Sequence, residues 1–309
     1  MTDVRAIALR CKGLVKRYDA LVAVAGIDLE VRAGECYGLL GPNGAGKTTT
    51  VEIFEGLLDS DGGEVEVLGR TWRGHEREIR ERIGIQLQET QFSEKLSVLE
   101  TLTLFRSFYA HGHDPEAVLR SVELEEKRDV RVRKLSGGQK QRLSVACALV
   151  SDPEIVFFDE PTTGLDPQSR RQLWDIIGTF RTRGKTVVLT THYMDEAEKL
   201  CDRVAILDHG RVIALDTPAR LIATLGAEHV VQFRTEVPPD LERIAALDGV
   251  GALRCDDGSV SITVAQVHRT VPVLLAELNR QGVRMTDLTT HHASLEDVFV
   301  SLTGRHLRE

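Results

Sequence analysis

One octapeptide constrains this chain more than anything else in it: Gly41-Pro42-Asn43-Gly44-Ala45-Gly46-Lys47-Thr48, followed by Thr49. It meets the phosphate-loop pattern G-x-x-x-x-G-K-[ST] at every fixed position. A triphosphate carries dense negative charge, so a loop that binds it must bring several backbone N–H groups close together. Glycines at 41, 44 and 46 permit this, because the backbone there can take positive φ without a Cβ clash. Lys47 supplies a point charge for the β- and γ-phosphates, and the Thr48 hydroxyl can complete the shell of a Mg²⁺ ion. The flanks agree. Glu35-Cys36-Tyr37-Gly38-Leu39-Leu40 reads as a buried strand, and the stretch from Lys47 as a helix whose positive end faces the phosphates.

At 309 residues the chain is long for one domain and comfortable for two. No apolar run reaches the length that spans a bilayer, and Met1-Thr2-Asp3-Val4-Arg5 lacks the basic-then-apolar layout of a signal peptide. The five cysteines are scattered without C-x-x-C spacing, which implies reduced thiols and a cytosolic setting. A formal net charge of −8 argues against a nucleic-acid partner.

Three further stretches carry chemistry. Ile155-Val156-Phe157-Phe158 reads as a strand buried on both faces, ending in Asp159 and Glu160. Open α/β sheets place ligands at such C-terminal strand ends. Asp159 is suited to hold Mg²⁺ there, and Glu160 to accept a proton from an attacking water. A second apolar strand, residues 186–191, ends in His192, which faces the same crevice and could orient that water. Leu135-Ser136-Gly137-Gly138-Gln139 is a capped helix start with glycines at its mouth, a second candidate anion site. Three residues stay open on spacing alone. Tyr18 is either an adenine-stacking aromatic or an ordinary strand tyrosine. In Gln86-Leu87-Gln88 at a strand exit, the glutamines suggest a ligand contact or an edge. His111 and His113 fall in a turn, and His291 and His292 read as surface.

The ordered set resembles the ATP-binding subunit of ABC transporters over residues 5–220. Residues 41–48 match Walker A, Leu135-Ser136-Gly137-Gly138-Gln139 the signature, and Phe157-Phe158-Asp159-Glu160-Pro161 Walker B with its glutamate. Gly164-Leu165-Asp166-Pro167 matches the D-loop, and His192 the switch histidine. The resemblance implies a RecA-like α/β core with an antiparallel β subdomain and a helical subdomain at about residues 90–150. It makes Tyr18 the adenine stacker and Gln88 the glutamine that contacts Mg²⁺ and senses the γ-phosphate. It also implies that two copies sandwich two nucleotides, with Ser136, Gly137 and Gly138 of one binding the γ-phosphate held by Lys47 of the other, and it adds Gln139 and Asp166 to the nucleotide-binding residues.

Residues 227–309 read as a second domain in β-α-β-β-α-β order, a ferredoxin-like α+β module closed by a short amphipathic helix from Ser294. That closing helix, Ser294-Leu295-Glu296-Asp297-Val298-Phe299-Val300-Ser301-Leu302, resembles the C-terminal mark of daunorubicin-resistance-type ATPases. These serve exporters of drugs and antibiotics and pair with separate ABC-2 type membrane permeases. The expectation is therefore an exporter's ATPase, peripheral on the cytoplasmic face of the membrane. The alternative is a soluble ABC ATPase acting on ribosomes or DNA.

Overall fold

The structure, a computed structural model, describes residues 6–87, 91–256 and 258–304. The chain divides into two compact units between Thr217 and Pro218.

The first unit opens with a hairpin of two long strands, β1 (Ile7–Tyr18) and β2 (Leu21–Arg32). Their alternation reads as several short runs in the sequence. Bulges explain the interruptions: Gly13 and Gly26, at φ 58 and 82, sit where the register between the two strands shifts. After β3 (Cys36–Leu40) and α1 (Lys47–Phe54), β4 (Gly62–Val67) pairs with β1, completing an antiparallel sheet of order β2-β1-β4. The charge-rich stretch contributes only one helical turn and a half, α2 (Glu76–Arg80), anchored by the buried Ile79.

A second sheet has the order β5-β6-β7-β3-β8-β9. Its new members are β5 (Ile83–Gln86), β6 (Ile155–Asp159), β7 (Thr186–Thr191), β8 (Arg203–Asp208) and β9 (Arg211–Asp216). The first five strands run parallel, and β6, β3 and β7 are buried on both faces, as parallel packing requires. Strand β9 returns antiparallel and lies beyond the turn at which the sequence closes the α/β pattern. Register sets where the chemistry gathers: Leu40 stands beside Thr191, and Asp159 beside Thr190, so three adjacent strands end level.

The helical region between β5 and β6 holds α3 (Val98–Arg106), α4 (Pro115–Ser121) and α5 (Gly137–Leu149), with two 3₁₀ turns. Ser97, Asp114 and Ser136 cap the three helices with their side chains. Helices α6 (Pro167–Thr182) and α7 (Met194–Leu200) complete the first unit.

The second unit contains α8 (Pro218–Ala223), β10 (His229–Thr235), α9 (Leu241–Ala245), β11 (Val250–Asp256), β12 (Ser259–Val264), α10 (Val267–Arg280), β13 (Met285–His292) and α11 (Leu295–Thr303). Its strands form an antiparallel sheet of order β11-β12-β10-β13, the arrangement a ferredoxin-like β-α-β-β-α-β order produces. Its own core gathers Val231, Phe233, Ile262 and Val264 from the sheet with Ile244, Leu274 and Leu278 from α9 and α10. The break at Pro218 assigns α8 to this unit, where it packs on α11.

Candidate active site

The phosphate loop joins β3 to α1 and is braced from below. A Cβ on Gly46, which sits at φ 97, would lie 2.3 Å from the Ala23 carbonyl oxygen of β2, so only glycine fits. The turn between β8 and β9 supports the loop from another side, with Gly210 N–H donating to the Ala45 carbonyl at 3.1 Å. No side chain caps α1, which leaves its first-turn N–H groups turned to whatever the loop binds. Lys47 is buried, and its ammonium donates to the carbonyls of Gly41 at 2.9 Å and Pro42 at 3.2 Å. Burial lowers its pKa, and the Glu160 carboxylate 3.4 Å away pulls it back.

Asp159 ends β6, and Glu160 turns the chain with a φ of 46, a strained value for a residue with a side chain. Two acceptors on β7 hold that turn: Glu160 N–H donates to Thr190 Oγ1 at 2.9 Å and to the Thr190 carbonyl at 3.2 Å. The turn aims the two carboxylates differently. Asp159 Oδ1 accepts from the hydroxyls of Thr190 and, at 3.3 Å, Thr48. Glu160 Oε2 accepts from Thr163 Oγ1 at 3.1 Å and lies 3.1 Å from His192 Nδ1. Their pKa values part accordingly. Burial, reinforced by Glu160, raises Asp159. The hydrogen bond from His192, with Lys47 behind it, holds Glu160 down to about 2. Glu160 is therefore an ionised acceptor at any physiological pH.

An open cleft of about 560 Å³ is lined by Asn43, Gly44, Gly46, Lys47, Thr48, Thr49, Glu160, Thr163, His192 and Tyr193; Asp159 is joined to it through the Thr48 hydroxyl. Several of the expected residues stand elsewhere. Ser136, Gly137, Gly138 and Gln139 do not line the cleft; they form the mouth of α5. There Ser136 and Gln139 make a reciprocal capping box, and a Cβ on Gly138 would meet Ser169 Oγ at 2.6 Å. Asp166 N-caps α6, accepting from Gln168 and Ser169 N–H at 3.0 Å each. Tyr18, at the end of β1, is 44% exposed, with the Lys16 ammonium 5.8 Å from its ring centroid. Gln88 lies outside the described residues. Gln86 is buried, and its amide donates to the adjacent Leu87 carbonyl at 2.5 Å. Thr163, Thr190 and Tyr193 belong to the site although nothing in the sequence pattern assigns them a role.

Strand-ended carboxylates and a histidine gathered at a phosphate loop, with a glycine-mouthed capped helix elsewhere in the same unit, define a P-loop ATPase of the ABC class. The chain belongs to the ATP-binding proteins of ABC transporters, and the ABC transporter family model matches residues 24–163. It is 39% identical over 305 residues to the Nod factor export ATP-binding protein I of Burkholderia pseudomallei (strain K96243), covering 94% of this chain and 95% of that protein. It is 38% identical over 309 residues to the daunorubicin/doxorubicin resistance ATP-binding protein DrrA of Streptomyces peucetius, covering 96% and 92%. Among solved structures, the ATP-binding subunit of an ABC transporter superposes with a TM-score of 0.64 at 28% identity, covering 71% of this chain and 93% of that one. The ATP-binding cassette MJ0796, solved as a post-hydrolysis dimer bound to ADP and Pi, gives 0.62 at 27%, covering 68% and 98%. As an ABC ATPase, the chain binds and hydrolyses ATP.

Proposed function

We propose that this chain is the energising subunit of an exporter. It works as a pair of copies on the cytoplasmic face of the membrane, against a separate ABC-2 type permease that passes a small drug- or antibiotic-like molecule outward. The observation that carries the chemistry is the Glu160 carboxylate, kept ionised between His192 and Thr163 at the mouth of the phosphate loop. In this reading Lys47 and the loop N–H groups hold the β- and γ-phosphates. Glu160 takes the proton of the attacking water, and His192 orients it. Thr48 and Asp159 bring a hydroxyl and a carboxylate within 3.3 Å of each other, hard oxygen donors that suit Mg²⁺. When bound there, that ion supplies charge neutralisation for the phosphate oxygens. Tyr18 stacks on the adenine, and Gln88 reports the γ-phosphate to the helical region.

Signature residues that cap α5 away from the cleft support a composite site: Ser136, Gly137, Gly138, Gln139 and Asp166 would serve the nucleotide of the second copy. The permease surface is supported by exposed apolar side chains of the helical region. Phe92, Phe105 and Phe108 stack edge-on at 6.0 and 5.9 Å, and Phe108 is 67% exposed. Export rests on the Nod factor export named for one relative aligned over nearly the whole chain, and the drug-like class of cargo on the daunorubicin/doxorubicin resistance named for the other. The second unit, with its own core, is an accessory domain that leaves nucleotide binding to the first.

The test is affinity capture of this chain from detergent-solubilised membranes of its host. A co-purifying polytopic protein supports the proposal. Ribosomal proteins or DNA in its place would move the motor to a soluble task.

A further inference from the structure

A cation–aromatic file runs beside the cleft, joining it to α6. The Arg170 guanidinium, on α6 one turn past the Asp166 cap, lies 4.1 Å from the centroid of the Tyr193 ring. That ring's other neighbour is the His192 imidazole, with centroids 4.1 Å apart and planes at 41°. His192 Nδ1 then meets Glu160 Oε2 at 3.1 Å. Four side chains thus run without a gap from α6 to the catalytic carboxylate.

The file is fixed at both ends of Tyr193. Its backbone N–H donates to Thr191 Oγ1 at 2.9 Å, which sets the corner between β7 and α7. Its ring is held by a guanidinium with few other engagements. Among the described residues Arg170 Nε is buried without a hydrogen-bond partner, and Asp195 is 3.9 Å from Nη1, too far for a hydrogen bond. A guanidinium at that distance over a tyrosine face is attracted by the ring quadrupole, and more strongly when desolvated. An imidazole at the end of a strand has several staggered rotamers open to it. The Tyr193 ring packs against one side of that imidazole, while Glu160 meets its Nδ1.

We propose that Tyr193 is a positioning residue for ATP hydrolysis: held by Arg170, its ring fixes the His192 imidazole against Glu160. Arg170 thereby ties the catalytic pair to the helix that Asp166 caps. The inference rests on Glu160 and His192 acting as a pair.

The experiment compares steady-state ATP hydrolysis of the full chain carrying Tyr193→Leu, Tyr193→Phe, Arg170→Ala and His192→Ala. Tyr193→Leu is expected to lower kcat about tenfold, a modest misplacement of a catalytic group. KM for ATP should hold, because the phosphate loop is untouched. Tyr193→Phe keeps the ring and should recover kcat, and Arg170→Ala should fall between. Combined with His192→Ala, Tyr193→Leu should cost nothing further, since residues acting in one file are not additive. A Tyr193→Leu enzyme with full kcat overturns the proposal while the catalytic pair stands. So does a loss that raises KM, tracks a lowered melting temperature and is not recovered by phenylalanine, since that is the mark of a merely structural stack. Full turnover by His192→Ala removes the pair itself and the proposal with it.

Discussion

Glu160 occupies a backbone conformation that most side chains avoid, and the two bonds it makes to Thr190 keep it there. Under the proposed mechanism Glu160 faces the attacking water, and strain tolerated there marks a position selected for aim rather than stability. Replacing it by glutamine keeps shape and removes basicity. Glu160→Gln should lower turnover by about 10²–10⁴-fold while nucleotide binding persists, read by ATP hydrolysis and by equilibrium binding. A second carboxyl responds to pH instead. Glu55 is buried at the end of α1; desolvation, with Asp159 and Glu52 adding to it, raises its pKa to about 9. Between the ordinary carboxylate range and about 9, the folded chain holds a proton that the unfolded chain has lost, so this group's contribution to stability falls as pH rises. Glu55→Gln should therefore be more favourable at pH 8 than at pH 5. A relative gain of about 2–4 °C in melting temperature corresponds to roughly 1 kcal/mol in a domain this size. Equal gains at both values would dismiss the buried charge. The phosphate loop, Asp159, Glu160 and His192 were legible because each is a charged or glycine-rich break in an apolar strand pattern. Thr190 and Thr163 were not, because their roles depend on which strand lies beside β6, and periodicity does not report neighbours.

Element by element, the sequence conveyed more type than extent. Strands β3, β6 and β7 announced themselves through continuous apolar runs, and the order of the second unit through alternation and capping. Strand β9 escaped because its hairpin turn, His209-Gly210, takes φ 47 and 71 without the Asn-Gly or Asp-Gly pair that signals such turns. Helix α8 escaped because Thr217-Pro218 reads as an ending, although proline is equally at home in a first helical turn. The closing helix α11 shows how local and tertiary signals agree. Ser294 and Asp297 form its capping box, Gly304 ends it at φ 73, and Leu295, Val298 and Phe299 are buried. Phe299→Ala should cost the second unit about 3–5 kcal/mol, the range for emptying a buried aromatic site. Nucleotide affinity should not change, because that unit has a core of its own. A fluorescence melt paired with an ATP-binding titration separates the two effects, and a parallel loss of affinity would join the units into one.

For the whole molecule, the informative feature is that one chain keeps its phosphate loop and its signature cap apart. Under the paired reading, each copy lends one half of a site and borrows the other. Two separately dead proteins can then repair each other. Take Glu160→Gln, whose carboxylate half is lost, and Gly137→Asp, whose cap is spoiled by a carboxylate where a phosphate should bind. In a mixed pair both lesions fall in the same composite site, and the opposite site inherits two intact halves. Equal amounts combined before ATP is added should recover about a quarter of normal hydrolysis, since random pairing gives half mixed pairs with one working site each. A mixture as silent as its components would overturn the paired reading with independently working sites; a Gly137→Asp protein active by itself would mean that each copy hydrolyses alone. Genetically, then, dominance and recessiveness here are properties of the partnership: a harmful allele can be rescued by a differently harmful one.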